Sequence, residues 1–177
     1  MNWDAIGAIG EVLGAIVTIG TIIYLAIQIR HNREATQASS ENEANMQFTR
    51  FCERIADDRK LQKTWDLVAA NDPDLTEEDA LHFVWNIAGM MYTCEAVWKQ
   101  NRGGFLSNDT WANWERFSLG MLRIPLLRRW WDDRRSLHSP EFFDYFDKLL
   151  ESEPDWPMPE GRSWIQEVLN ESHSKKA

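Results

Sequence analysis

Two glutamates stand where a charge is hardest to keep. Glu11 is the one charged residue between Ala5 and Ile27, AIGAIGEVLGAIVTIGTIIYLAI, and an ionised carboxylate in the middle of a bilayer costs at least ~2.5 kcal/mol. Two arrangements relieve that cost. A neutral carboxyl can hydrogen-bond across to another helix, or water can reach it in a lumen ringed by subunits, where a ring of Glu11 side chains would favour cations. Glu95 shares a helical stripe with Leu81, Val84, Ala88, Met91 and Trp98. A carboxylate on that apolar face must be paired, and Arg116, Arg123 or Arg128 are candidate partners for a buried ion pair. A general acid or base would also need a cleft and a second titrating group, and neither is visible in the sequence.

Other chemistry-bearing residues are scattered. The four histidines, His31, His82, His138 and His173, do not cluster. Asp79 and His82 form one D-x-x-H pair, whereas a di-iron bundle needs two such half-sites with further glutamates. CxxC, GxSxG, HExxH and a Gly-rich phosphate loop are all missing from the sequence, so no catalytic residue, metal or cofactor is expected. The two cysteines, Cys52 and Cys94, make no disulfide framework and suit a reducing compartment. One stretch is basic: RIPLLRRWWDDRR, Arg123 to Arg135. Its Arg123, Arg128, Arg129, Trp130 and Trp131 could rest on an anionic membrane surface or pair with acids of the same chain such as Glu141 and Asp144. Adjacent Trp130 and Trp131 must splay apart on a helix, so at least one is expected in the core, and packing within the chain is the favoured reading.

The element that carries Glu11 is an apolar run of 23 residues, which as a helix is about 34 Å long and exceeds a hydrocarbon core of about 30 Å. Trp3 and Tyr24 lie near its two ends, as interfacial aromatics do. The start MNWD and the continuation QIRHNR are unlike a cleavable signal peptide, so an uncleaved transmembrane anchor is expected. Arg30 and Arg33 follow the run and no Lys or Arg precedes it, which puts the N-terminus outside and the rest in the cytoplasm. Steps of four and three from Gly7 visit Glu11, Gly14, Thr18, Thr21, Leu25 and Gln28. Small and polar residues on one stripe let two backbones approach and hydrogen-bond. Gly10 and Gly14 add a GxxxG pair. With one span per chain the expected partner is another copy, with an unidentified protein as the alternative.

Residues 31–45 carry no bulky apolar side chain and read as a polar stalk that is helical or partly ordered. Beyond it, Phe48, Phe51 and Ile55 recur at helical spacing, and Leu61, Trp65 and Val68 continue the pattern towards a turn at Asn71–Pro73. Thr76 before three acids starts a helix that stops at Asn101–Gly104. Ser107, Pro125 and Ser139–Pro140 open three more, and a last short helix is expected at Ser163–Asn170 after the Pro-rich EPDWPMPEG. No segment alternates as a strand does. The fold class is therefore all-α: one N-terminal transmembrane helix with its flanks (1–30), the stalk (31–45) and a helical cytoplasmic domain (46–177).

Composition agrees with that division. The chain has 177 residues, 19 basic and 28 acidic, for a net charge of −9; the length allows one ordinary domain plus an appendage. The acidity argues against nucleic acid, which requires a basic face. Ten tryptophans fall mostly in the apolar stripes, as core residues or, less readily, as an aromatic cage for a cation.

The segments WDAIGAIGEVLGAI, YLAIQIRHN, RGGFLSNDTW and WWDDRRSLHSPEFFDYFD together resemble a largely uncharacterised family of short, single-span bacterial membrane proteins. The resemblance covers almost the whole chain. It implies a bacterial inner-membrane protein with a helical cytoplasmic domain and supplies no catalytic residues. The expected function is that of a membrane-anchored, self-associating interaction or scaffold module rather than an enzyme, with the lipid bilayer and a second copy as partners. The competing expectation is a small homo-oligomeric ion channel with a lumen lined by Glu11, Thr18 and Gln28.

Overall fold

The computed structural model describes residues 3–152, the side chains at 4–10 and 12 excepted. It is all-helical, with no strand among the described residues. Both the Pro-rich loop and the helix expected at Ser163–Asn170 lie outside the described residues.

The first helix, α1, runs unbroken from Trp3 to Asp57, 55 residues or about 82 Å. Nothing interrupts it because no Gly or Pro occurs between Thr21 and Asp57. The polar stretch in its middle is held as helix by pairs four residues apart, Arg30 with Glu34 at 2.9 Å and Gln37 with Glu41 at 3.4 Å, each contributing a few tenths of a kcal/mol. By length and composition α1 can cross a membrane, and its apolar part is wholly uncovered: every residue from Leu13 to Ile27 is exposed. Packing against the rest of the chain begins inside 31–45. Arg33 reaches Gly104, Glu41 accepts the Ser107 N–H at 3.3 Å, and Ala44 is 2% exposed.

The apolar pattern running through Ile55, Leu61 and Trp65 suggests one helix, but the chain breaks at Asp58. That residue leaves helical geometry (φ −100°, ψ 98°) and its carboxylate accepts the Leu61 N–H at 3.0 Å, capping α2 (Arg59–Ala69). Asn71 then turns the chain in the left-handed region, φ 49°, which Asn tolerates. Thr76 caps α3 (Glu77–Arg102), with acids in its first turn. The far end of α3 closes as a Schellman motif: the Phe105 N–H bonds Gln100 O and the Gly104 N–H bonds Asn101 O, both at 2.9 Å, with Gly104 at φ 73°. Ser107 caps α4 (Asn108–Leu122), and Pro125 opens α5 (Pro125–Asp133) as its first residue. A single 3-10 turn, Arg135–Leu137, leads to α6 (Pro140–Ser152).

α3 is the axis of the domain. Its Phe83 meets Trp65 of α2 edge-on and its Trp98 meets Phe142 of α6. Phe48 and Phe51 of α1 pack on Trp114 and Phe117 of α4. Trp131 of α5, fully buried, stacks on Phe143 with centroids 4.0 Å apart. Two residues depart from the expected stripes: Leu81 is 56% exposed and Trp85 66%, because the first turns of α3 bury the opposite face, with Phe83 and Ile87.

Candidate functional site

Along the apolar half of α1 the structure divides the stripe by chemistry. The Thr18 hydroxyl donates to Gly14 O at 2.8 Å and that of Thr21 to Val17 O at 2.9 Å. Both protons are spent within the helix, so the polar demand for a partner concentrates on Glu11, which is exposed, and Gln28, which is half-buried. A Cβ built on Gly14 would meet nothing within 4 Å, which leaves a flat place for a second backbone. Gly7 lies on the same helix one turn before Glu11. At 100° per residue the stripe centred on Gly14 and Thr18 sits roughly a third of a turn from the Ala44–Phe51 face. The domain packs on the latter and leaves the former uncovered.

Glu95 is the second centre. It is 7% exposed. One carboxylate oxygen accepts Lys99 Nζ at 2.7 Å and the Ser139 N–H at 3.1 Å; the other meets His138 Nδ1 at 2.8 Å. The arginines expected as partners turn elsewhere, Arg116 to Ala112 and Asn113, Arg128 to Asp132 and Asp147. Burial pushes the Glu95 carboxyl up, but hydrogen bonds from Lys99, Ser139 and His138 outweigh it and hold it at about 2. An ionised carboxylate only accepts, so His138 donates from Nδ1. The imidazole is enclosed by Tyr92, Trp131 and Phe142 at ring distances of 4.8, 5.2 and 5.6 Å, and its Nε2 is buried without a hydrogen-bond partner. The Ser139 N–H donates to the same carboxylate, which tethers the first turn of α6 to Glu95. The arrangement ties the start of α6 to α3.

An open groove of about 540 Å³ lies beside it, lined by Trp98, Arg102, Trp111, Glu141, Tyr145 and Lys148 among others. Its aromatic faces are already used. Arg102 lies over Trp98, 4.7 Å from the ring centre, and pairs with Glu141 at 2.6 Å. Trp111 Nε1 donates to the Tyr145 hydroxyl at 3.3 Å, which itself donates to Glu115. Burial, then the bond to Glu115, pushes the Tyr145 hydroxyl up to about 12, so it remains a proton donor.

The basic run folds inward. Trp131 is completely buried and donates Nε1–H to Asp147 at 3.3 Å, so it cannot touch a membrane surface; Trp130 is half-buried. Arg128 pairs with Asp132 and Asp147, and Arg129 with Asp133. Asp79 serves the start of α3, accepting from Thr76 and from Lys60, while His82 lies 4.0 Å from Asp58. No group of three or more His, Cys, Asp or Glu among the described residues has metal-binding geometry. Sequence reasoning missed His138 as the partner of Glu95. Lys99, four residues on from Glu95 at ion-pair spacing, was the available signal.

Comparison with family models, with curated proteins and with solved structures returned no match to this chain.

Proposed function

We infer that this chain is a membrane-anchored helical module that self-associates through its span and presents its C-terminal domain on one side of the bilayer. The carrying observation is the bare helix from Leu13 to Ile27, none of it covered by the chain's own domain, with the Gly7, Glu11, Gly14, Thr18, Thr21 and Gln28 stripe about a third of a turn from the domain face. Arg30 and Arg33 after the span favour a cytoplasmic domain, as do the free Cys52 and Cys94. The sequence resemblance points to a bacterial inner membrane.

The test is oligomer size in mild detergent, by light scattering with the detergent contribution subtracted. Gly14→Leu fills the flat place and Glu11→Leu removes the interhelical bond, so both shift the protein to smaller species. Unchanged size for both removes the span from the association surface.

A further inference from the structure

The turn between α3 and α4 lies at the level where α1 leaves the apolar run. Lys60 at the start of α2 pairs with Glu78 at the start of α3, at 2.8 Å, so α3 begins beside the far end of α1. It ends beside Arg33, whose Nη2 lies 3.2 Å from a Cβ built on Gly104. α3 therefore climbs back antiparallel to α1 towards the span. The two lengths agree: the 24 steps along α1 from Arg33 to Asp57 and the 26 steps from Glu78 to Gly104 each cover roughly 36–39 Å. From Gly104 the chain descends again, since Ser107 meets Glu41. Among the described residues the turn Gly103–Phe105 is thus the part of α3 and α4 nearest the apolar run.

Arg33 is six residues past Ile27, about 9 Å along the axis. Helical side chains lean back towards the N-terminus, so its guanidinium points up towards the span, within reach of a headgroup layer roughly 5–8 Å thick. Two observations mark this turn. Phe105 is 45% exposed, and its ring lies against the end of α3, where only glycine fits: a Cβ on Gly103 would come within 2.9 Å of it. Arg33 has no acidic partner among the described residues, whereas the neighbouring charges are engaged, Arg30 with Glu34, Arg102 with Glu141, and Glu41 with the Ser107 N–H and Gln37.

We propose that the α3–α4 turn is a second membrane contact, in which Phe105 enters the headgroup layer of the bilayer that α1 crosses and Arg33 meets a lipid phosphate. It rests on α1 spanning the membrane. An aromatic ring suits the interface and a guanidinium suits phosphate. With α1 as one contact and the turn as another, the domain is held at a fixed tilt instead of swinging about its anchor.

The experiment uses the full-length chain in phosphatidylcholine–phosphatidylserine nanodiscs, with Cys52→Ser as background. Cys94 is fully buried and burial pushes its thiol up to about 12, so it does not take the label. Nitroxides are placed singly at Phe105→Cys, Ile19→Cys and Asp57→Cys, and collision with oxygen is compared with collision with a water-soluble nickel chelate. The expected result is a hydrocarbon-core ratio at 19, an aqueous ratio at 57 and an interfacial ratio at 105. A core ratio at 19 with an aqueous ratio at 105 overturns the second contact while leaving the span in place. An aqueous ratio at 19 overturns the span and this proposal with it.

Discussion

At the scale of single residues, Glu95 shows how a buried charge is kept. Its two oxygens receive Lys99, the Ser139 N–H and His138, which more than offsets its desolvation. Its carboxyl is depressed from an ordinary 4.5 to about 2. A depressed acid binds fewer protons folded than unfolded, so its stabilisation is fully present above the ordinary value and is lost as pH falls towards 2. That linkage is worth on the order of 3 kcal/mol at neutral pH. Glu95→Gln should lower stability by about that amount at pH 7, measured by denaturant unfolding in detergent, with the gap from the parent closing between pH 4.5 and 2. A pH-independent gap would mean that shape and not charge is lost. The glutamate itself was legible, since a lone acid interrupts an apolar stripe. His138 was not, because it lies 43 residues away and only the turn before α6 carries it to α3.

At the scale of elements, local signals fixed most boundaries and long-range packing fixed the exceptions. Thr76, Ser107, Pro125 and the Gly103–Gly104 pair each satisfy a backbone requirement that their residue types advertise. Asp58 advertises a cap as well, but the apolar period runs straight past it, and periodicity alone cannot tell a continuous helix from two helices in phase. Leu81 carries the right spacing yet lies outside the core, because spacing says which residues share a face and not which face each turn of a long helix buries, here that of Phe83 and Ile87. Gly104 is the element-scale residue most open to test. At φ 73° a side chain pays the left-handed penalty, about 1–2 kcal/mol, and a Cβ would also press on Arg33 at 3.2 Å. Gly104→Ala should therefore destabilise by at least about 1 kcal/mol, whereas Gly89→Ala, on an exposed helical surface with nothing within 4 Å of the new Cβ, should stabilise by up to about 1 kcal/mol. Equal effects at the two positions would show that the turn does not hold that backbone conformation in solution.

For the whole molecule, one helix has two chemically different halves. Its first half is apolar and uncovered, and its second half supplies Ala44, Phe48, Phe51 and Ile55 to the domain. Among the described residues the buried core contains none before Ala44, and the α1 contacts at Arg33 and Glu41 that precede it are polar. Removal of residues 1–30 should leave the core whole and take away the exposed apolar surface that demands a bilayer or detergent. Sequence composition had already hinted at this separation, with the excess acidity confined to the part after the span, but not at the mechanical continuity that α1 provides between them. A chain beginning at His31 should be soluble without detergent, monomeric at micromolar concentration, and should unfold cooperatively with a midpoint close to that of the full-length protein in detergent. Helix fraying would remain limited to the turns before Arg33, where no partner element among the described residues restrains α1. Loss of cooperative unfolding would mean that the span stabilises the domain directly. A soluble, cooperatively folded oligomer would instead move the association surface from the span to the domain, and the Glu11 stripe would then serve only to seat the helix in lipid.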